Sequence, residues 1–271
     1  MRIRKILFVG ILGLCITVIA NAQTNKEKVY KDITVSGNTV SKWFDFEDLS
    51  EYDNKGNLVY YERGNSKVWR EYDKFGNETL FKNNNGEIIK TEYEYDKYGN
   101  MIYKNRIDDV PKDSFTEWNE YDSKGRKIYV KTLAEGKISE TKYDYDQPGI
   151  VHSKSGKYET WNEYDSHGNL FHYRSRFSEW WKTFKYNAQG VLIYYKDGNY
   201  EQWYDEKGNA IHQKYVSGSE NWTEYEYDDN GHIICSYYYT KGLKLWNYYE
   251  YTFFPDGKIK LVKKYEAKEW N

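Results

Sequence analysis

A six-residue motif, Tyr-Asp-x-x-Gly-Asn, recurs along this chain and constrains its fold more than any other feature. Ten copies, some of them degenerate, place their glycines from Gly56 to Gly257 at a mean spacing of about 22 residues. Asp at the first turn position accepts hydrogen bonds from backbone amides, and Gly three residues later adopts the left-handed conformation that other residues avoid. The motif therefore predicts a tight turn between antiparallel strands. The copies begin at Tyr52, Tyr72, Tyr95, Tyr121, Tyr145, Tyr164, Tyr186, Tyr204, Tyr227 and Phe253.

A second, looser turn lies between successive motifs, for example at Glu135-Gly136 and Ser217-Gly218. The segments between turns are rich in Tyr, Trp, Val, Ile and Thr and alternate with a period of two, as in residues 223–227. Both features are typical of β-strands. We therefore predict an all-β fold of tandem antiparallel β-hairpin repeats with roughly twenty strands. Because so many twisted strands do not form a flat open sheet, we expect a curled or spiral, β-solenoid-like arrangement.

The start of the chain resembles an export signal. Arg2, Arg4 and Lys5 precede an apolar core at residues 6–19, and a small-residue cleavage motif ends at Ala22. We expect cleavage near Ala22 and a mature protein that is secreted, periplasmic or held at the cell surface. The apolar core is shorter than the roughly 20 residues of a membrane span, so no transmembrane anchor is expected.

Cysteine use gives two further expectations. Cys15 allows a lipoprotein interpretation, but the preceding Leu12-Gly13-Leu14 places a bulky Leu directly before the cysteine, where lipoprotein signals have Gly, Ala or Ser. We therefore do not expect lipidation. Once the signal is removed, Cys235 is the only cysteine, so no intramolecular disulfide can form.

The domain organisation follows from the position of the repeats. Residues 1–22 form the signal peptide, and residues 23–50 are interpreted as an N-terminal hairpin that caps the array. Residues 51–262 hold the Tyr-Asp-x-x-Gly-Asn hairpin repeats, and residues 263–271 form an end strand or tail with no evident cap. A free terminal strand would allow edge-strand self-association between molecules.

Charge and aromatic content exclude some functional classes. Removing the three cations of the signal takes the formal charge from -2 to -5, and acids and bases are interspersed. This pattern offers no basic face for nucleic acid. The mean hydropathy of -1.00 resembles that of a disordered chain, yet 10 Trp, 31 Tyr and 11 Phe supply abundant ring surface for packing. We expect an aromatic core.

Counting back from each motif ring separates two faces of the sheet, if no bulge intervenes. Even offsets carry mostly Tyr and odd offsets carry mostly Trp. Cross-strand packing accounts for such ladders, but a single-layer sheet also leaves rings exposed for sugars or partner proteins. Trp69, Trp118 and Trp161 share one offset and are the candidate ligand-binding residues. The even set is Tyr93, Tyr143, Phe184, Tyr225 and Tyr251, and the odd set is Trp69, Trp118, Trp161, Trp181, Trp203, Trp222 and Trp246.

The Tyr-Asp-x-x-Gly-Asn motif at this spacing resembles the YD repeats of Rhs-type proteins and covers roughly residues 50–260. The resemblance implies a long antiparallel sheet curled into a spiral. Large relatives form shells around a toxin domain, but neither a toxin domain nor the self-cleaving core segment is recognisable here. The segment 251–262 is also similar to the MORN-variant repeats of bacterial antitoxin-like proteins.

No motif for catalysis or metal binding stands out. There is no His-Glu-x-x-His pattern and no cysteine cluster, and we expect the five histidines to be surface side chains. Asp228-Asp229-Asn230-Gly231 is interpreted as a capped turn because it lacks the spaced ligands of a calcium loop. We predict no cofactor, no metal and no catalytic residue. The histidines are His152, His167, His172, His212 and His232.

These observations predict an exported, non-enzymatic binding or structural module that acts at the cell envelope or outside the cell. A glycan bound through exposed aromatic side chains is the first expectation. The alternative is a protein-protein interaction module, either immunity-like or a surface-assembly partner. A glycan-active hydrolase is the remaining possibility, and it requires two converging carboxylates.

Overall fold

The computed structural model of the chain describes residues 27–35, 38–145 and 147–270. The predicted signal peptide, Cys15 and Asp146 of the fifth motif lie outside the described residues. The described part forms 22 strands and one short 3-10 helix at Pro111–Asp113. The strands are β1 Lys28–Val35, β2 Asn38–Tyr52, β3 Leu58–Arg63, β4 Ser66–Tyr72, β5 Glu78–Asn83, β6 Ile88–Tyr95, β7 Met101–Asp108, β8 Phe115–Tyr121, β9 Lys127–Ala134, β10 Lys137–Asp144, β11 Ile150–Ser155, β12 Tyr158–Tyr164, β13 Leu170–Ser175, β14 Glu179–Trp181, β15 Thr183–Tyr186, β16 Leu192–Lys196, β17 Tyr200–Tyr204, β18 Ala210–Tyr215, β19 Glu220–Tyr227, β20 Ile233–Thr240, β21 Leu243–Phe253 and β22 Ile259–Trp270.

The strands form one antiparallel sheet in which, with a single interruption, each strand pairs with the next along the chain. The last strand returns to the second, because residues 261–266 of β22 pair with residues 45–51 of β2. At the same place the tenth motif turn meets the first, and Nζ of Lys258 donates a hydrogen bond to the backbone oxygen of Asn54 over 2.8 Å. The sheet is nearly closed and barrel-shaped, which confirms the predicted all-β, curled architecture.

Closure changes the expectation for the C-terminal end. Residues 261–266 have a neighbouring strand on both sides, β21 and β2, so residues 263–266 of the expected free end strand are already paired. Among the described pairings, Ile259 and residues 267–270 of β22 have β21 alone as a neighbour. Pairing with β2 satisfies backbone groups that an open array would leave without partners.

The interruption lies between β14 and β15. β14 pairs with β13, whereas β15 pairs with β16. Lys182 lies between the two strands, and its backbone N–H donates to the oxygen of Phe171 over 2.7 Å. One extended segment thus changes its partner midway, so each half of it is paired on one side among the described pairings. We call residues 179–186 the seam.

The motif turns have the predicted geometry, shown here by the sixth motif. Oδ1 of Asp165 accepts hydrogen bonds from the backbone N–H groups of His167 and Asn169, both at 2.9 Å. Gly168 adopts φ +82°, the left-handed conformation that the motif requires. The predicted role of Asp and Gly in these turns is confirmed.

A β-bulge accompanies nine of the ten motifs, directly at the motif ring. At the sixth motif, Glu163 lies opposite His172 but Tyr164 lies opposite Leu170, so Phe171 is the extra residue. The bulge lies in the strand after the turn. The strand before the turn therefore keeps its regular alternation up to the motif ring.

The motif tyrosines bridge wedge-shaped gaps between neighbouring repeats. β4 pairs with β5 as far as Tyr72, whereas β3 and β4 pair only from Tyr60 and Trp69 outward to the second turn. The strands therefore diverge toward the motif turns. The hydroxyl of Tyr72 spans this wedge and donates to the backbone oxygen of Leu58 over 2.8 Å. A phenol thus supplies a donor to a carbonyl that the strand ladder leaves open.

β1 and the first half of β2 form a hairpin that packs against β20, β21 and β22. Phe44 is fully buried there. Nζ of Lys42 lies 4.0 Å from the ring centroid of Trp246, and Nζ of Lys31 lies 4.7 Å from that of Tyr248. This is the main hydrophobic cluster of the described residues. Its buried members are Ile33, Phe44, Cys235, Trp246 and Tyr265.

Candidate ligand-binding face

The two predicted faces of the sheet are present. On one face, Tyr93 and Tyr95 stack with ring centroids 6.3 Å apart. On the other, Trp69 packs against Tyr60 at 5.5 Å across the β3–β4 pair. We call the side of the sheet that carries the even offsets before the motif ring the Tyr face, and the side that carries the odd offsets the Trp face.

The three candidate tryptophans all lie on the Trp face but not next to one another. Trp69 is in β4, Trp118 in β8 and Trp161 in β12, so three strands separate each from the next. At about 4.8 Å per strand, neighbouring candidates are about 19 Å apart across the sheet. The structure therefore does not unite the three into one site.

Each candidate ring is flanked by an aromatic residue on the preceding strand and a cation on the following one. For Trp118 these are Tyr103, at 6.0 Å between ring centroids, and Lys131, with Nζ at 5.5 Å. Trp69 and Trp118 remain 38% and 37% exposed, whereas Trp161 is half-buried. Of the three candidates, Trp69 and Trp118 thus keep the most accessible surface.

A continuous ring stack crosses the later strands of the Trp face. Trp203, His212, Trp222 and Tyr239 follow one another over β17 to β20, with centroids 4.6, 5.0 and 5.4 Å apart and ring planes within 17° of parallel. Each inner ring has its two faces covered by neighbours. This stack therefore stabilises strand register and leaves mainly ring edges for a ligand.

The polar groups on the Trp face converge around Trp161. Its ring stacks on His152 at 4.9 Å with an 18° interplanar angle, and the guanidinium of Arg174 lies 4.8 Å from its centroid. Asp144 and Glu163 border the same cavity, which measures about 440 Å³. Gln147 and Ile150 complete its lining.

His172 fixes one wall of this cavity. It is 6% exposed, its Nδ1 lies 2.8 Å from Oε1 of Glu163 and its Nε2 lies 2.9 Å from Oε1 of Glu179. Burial opposes the charged form, but the hydrogen bonds to the two carboxylates outweigh it and raise the pKa of His172. With both ring nitrogens donating, the imidazolium ties β12 to β14, and its ring stacks on Trp181 at 3.5 Å.

This arrangement corrects the expectation of a surface side chain for His172, which is buried. His167 is exposed in its turn, as expected, and its ring stacks on Tyr186, whereas His152 and His212 are half-buried and stack on tryptophans across the sheet. Cross-strand neighbours explain the burial of His172, because it faces Glu163 and Trp181 on the two adjacent strands. Nδ1 of His232 lies 2.9 Å from Oδ2 of Asp228 in its own turn, and the carboxylate accepts this hydrogen bond.

Two further grooves follow the same principle, since each occupies a wedge between neighbouring repeats. One of about 530 Å³ lies between the third and fourth motif turns and includes Tyr98 and Lys124. Another of about 670 Å³ lies along Trp203 and Trp222. Among the described residues, no group of three or more His, Cys, Asp or Glu is arranged to hold a metal ion.

The fold and its grooves define a class: an antiparallel β-hairpin repeat protein whose sheet is nearly closed and presents aromatic, polar clefts between repeats. Within the part of the chain that the structure describes, no helix has the length and apolarity to cross a membrane.

No protein-family model matches the chain, and no curated protein matches it. Solved structures with some similarity include that of TcdB2-TccC3-Cdc42, at 14% identity and a TM-score of 0.28, covering 85% of this chain and 14% of that one. TcdB2-TccC3 gives 15% identity and 0.29, with 86% and 15% covered. A porin-like protein from Bacteroides uniformis ATCC 8492 gives 10% and 0.28, with 90% and 95% covered. The chain thus spans about a seventh of the TcdB2-TccC3 chains.

Proposed function

We propose that this protein is a small, exported YD-type repeat protein that binds carbohydrate without transforming it, and that the Trp161 cavity is its principal site. The Tyr-Asp-x-x-Gly-Asn turns support the repeat class, and the N-terminal sequence pattern supports export to the envelope or beyond. The convergence of a Trp ring with charged and amide side chains in one cavity is the observation that carries the binding proposal.

The chemistry of the lining favours a polyhydroxylated ligand. Asp144 and Glu163 accept hydrogen bonds, Arg174 donates them, and Gln147 can do both. A purely apolar ligand would remove water from these polar groups without offering them hydrogen bonds, which opposes its binding. A volume of about 440 Å³ falls within the range of small-molecule sites.

The ring of Trp161 contributes shape rather than an open stacking platform. His152 covers one of its faces and Arg174 lies over the ring as well. Trp161 thus presents an edge to the cavity and fixes the Arg174 guanidinium, whose planar fork suits paired hydroxyl or carboxylate oxygens.

The experiment is a titration of the purified protein with soluble envelope and host glycans, read by calorimetry and Trp fluorescence. Trp161→Ala and Arg174→Met should each weaken binding by tenfold or more, on the order of 1.4 kcal/mol. Trp118→Ala is the matched control, since it has the same offset but lies outside the cavity. Equal losses in Trp118→Ala and Trp161→Ala would contradict this site.

A protein partner is the second candidate. Tyr30 and Trp43 form an exposed pair on the N-terminal hairpin, with ring centroids 5.3 Å apart. Among the described pairings, β1 has β2 as its only ladder partner, so its outer edge suits strand addition. This function would be favoured if one protein co-purifies with the chain, if the Trp43→Ser variant loses that protein, and if no glycan binds.

A hydrolase is the remaining alternative. New reducing ends on incubation with a glycan would favour a hydrolase that uses Asp144 and Glu163.

A further inference from the structure

The edge of the sheet opposite the motif turns carries an unusual set of exposed side chains. Four consecutive second turns, between β7 and β14, each place an exposed apolar side chain beside an exposed cation. Phe177 is the most prominent, at 74% exposed. We call these four turns the tip arc. Its pairs are Val110 with Lys112, Ile138 with Lys137, Tyr158 with Lys157, and Phe177 with Arg176.

The fold does not require these residues. The β9–β10 turn is formed by Glu135 and Gly136, both with positive φ, so the two residues that follow are not chosen by turn geometry. Other turns on the same edge do without the pair: residues 64–65 are Gly-Asn, and Val216 is 77% exposed with no cation in its turn.

The charge of the arc is positive where its apolar tips are largest. Over the three turns from β9 to β14, the cations Lys137, Lys157 and Arg176 face two exposed acids, Glu135 and Glu179, and Glu179 lies opposite the exposed Arg174. At the β7–β8 turn, Lys112 has Asp109 and Asp113 as neighbours, and Asp109 accepts a hydrogen bond from the backbone of Ile88 over 2.6 Å.

The cations and rings are positioned together. The guanidinium of Arg176 lies 5.5 Å from the ring centroid of Phe177, and Nζ of Lys157 lies 5.7 Å from that of Tyr158. Each turn therefore presents a combined apolar and cationic tip, the composition that favours the boundary between anionic headgroups and acyl chains.

The spacing of the tips discriminates between partners. Neighbouring hairpins are about 10 Å apart, and the rings of Tyr158 and Phe177 approach each other to 6.5 Å between centroids, whereas Val110 and Ile138 belong to separate turns. The arc is thus a row of projecting tips rather than a recess that a preformed protein surface would fill. A fluid lipid interface accommodates separate anchors without shape complementarity, because each side chain enters it independently.

We propose that the tip arc docks this protein on a lipid bilayer that contains anionic headgroups. The apolar tips enter the interfacial layer, and the adjacent Lys and Arg side chains remain at the level of the headgroups. This orientation places the motif turns, at the other edge of the sheet, away from the membrane. The proposal is independent of glycan binding, which uses the Trp face.

Co-sedimentation with large vesicles tests it, with phosphatidylcholine alone or mixed with phosphatidylglycerol. The full chain should bind the mixed vesicles preferentially, and added salt should weaken that binding. The double variant Ile138→Ser, Phe177→Ser should lose about tenfold or more in affinity. Replacing Lys137, Lys157 and Arg176 with Gln should remove the preference for phosphatidylglycerol.

Val216→Ser is the matched control, because it removes an equally exposed apolar residue from the same edge outside the arc. Its vesicle binding should equal that of the unmodified chain. Absence of binding to either vesicle, or equal binding by the tip and control variants, would overturn the proposal. Self-association measured by light scattering would also overturn the proposal, if the tip variant abolishes that association and the unmodified chain does not bind vesicles. The arc would then be a contact between copies of the chain.

Discussion

The hydroxyl group of Tyr186 donates a 2.6 Å hydrogen bond to Oδ2 of Asp165, and so joins the seventh motif to the sixth. Asn169 of the sixth motif also donates to the same hydroxyl. Tyr95 with Asp73, and Tyr227 with Asp205, repeat this contact elsewhere in the sheet. The motif is thus a device for joining adjacent turns as well as for making them.

Removing this hydroxyl should destabilise the protein without changing its fold. Burial, together with the hydrogen bond to Asp165, raises the pKa of Tyr186 to about 12, so the phenol is a donor throughout the neutral range. We expect Tyr186→Phe to lower the free energy of unfolding by about 1–2 kcal/mol, because the Asp165 carboxylate loses a donor. Urea unfolding measures the change. Tyr98→Phe, at an exposed turn tip, is the control and should have little effect.

Acid should weaken the same contacts. Burial raises the pKa of Asp165, but the hydrogen bonds from Tyr186 and from the turn amides outweigh burial and hold the pKa below its usual value. A lowered folded pKa contributes stability that is present above the unfolded pKa of about 3.9 and is lost as the pH falls through the folded value. The melting temperature should therefore decrease when the pH is lowered below about 4.

Asp165→Asn provides the check on that acid dependence. Asn187 already occupies the equivalent position in the seventh motif, where its Oδ1 accepts from the backbone of Gln189 and Val191. The variant should keep the turn, lose some stability at neutral pH and show a shallower loss in acid. An unchanged slope of stability against pH would show that Asp165 is not one of the responsible groups.

Much of this architecture could be predicted from the motif alone. Turn chemistry and two-residue alternation give the hairpins, the faces and the approximate strand number. The alternation does not predict the position of the bulge, and the bulge sets the cross-strand neighbours. The residue four positions after a motif Gly lies opposite the residue that directly precedes the aromatic ring of the same motif. His172 opposite Glu163, and His212 opposite Trp203, follow this rule.

Closure and the cavity were beyond local sequence reasoning. The pairing of β22 with β2 joins residues more than 200 positions apart, and no local propensity specifies it. The Trp161 cavity combines side chains from four strands and the turn between β10 and β11. The shared offset of Trp69, Trp118 and Trp161 reflects a repeated packing position, and only the last of them borders a cavity with convergent polar groups.

The seam should loosen as the pH rises and His172 loses its proton. Its pKa is raised in the folded protein, so its contribution to stability is complete below the unfolded value of about 6.5 and is lost as the pH rises through the folded value. Neutral imidazole has one N–H and cannot donate to both Glu163 and Glu179. Amide exchange at residues 179–182 should therefore accelerate, beyond its intrinsic pH dependence, as His172 titrates.

His172→Gln is the comparison for that measurement. Glutamine cannot carry the charge, so the extra acceleration with pH should disappear, and exchange at the seam should be fast already at low pH. Exchange in β4 and β5, which lie far from His172 in the sheet, reports the intrinsic dependence. Identical pH profiles for the two proteins at the seam would contradict the assigned role of His172.

The N-terminal hairpin should stabilise the closed sheet through Phe44. This side chain is fully buried and packs on Tyr248, with ring centroids 6.3 Å apart, beside the β2–β22 pairing. Phe44→Ala should lower the free energy of unfolding by about 3–5 kcal/mol and accelerate amide exchange in β22. Trp43→Ala is a stringent control, because the ring of Trp43 is 64% exposed on the other side of the hairpin. Its loss should change the free energy of unfolding by no more than about 0.5 kcal/mol. Equal effects of the two substitutions would mean that the hairpin does not contribute to closure through its buried side.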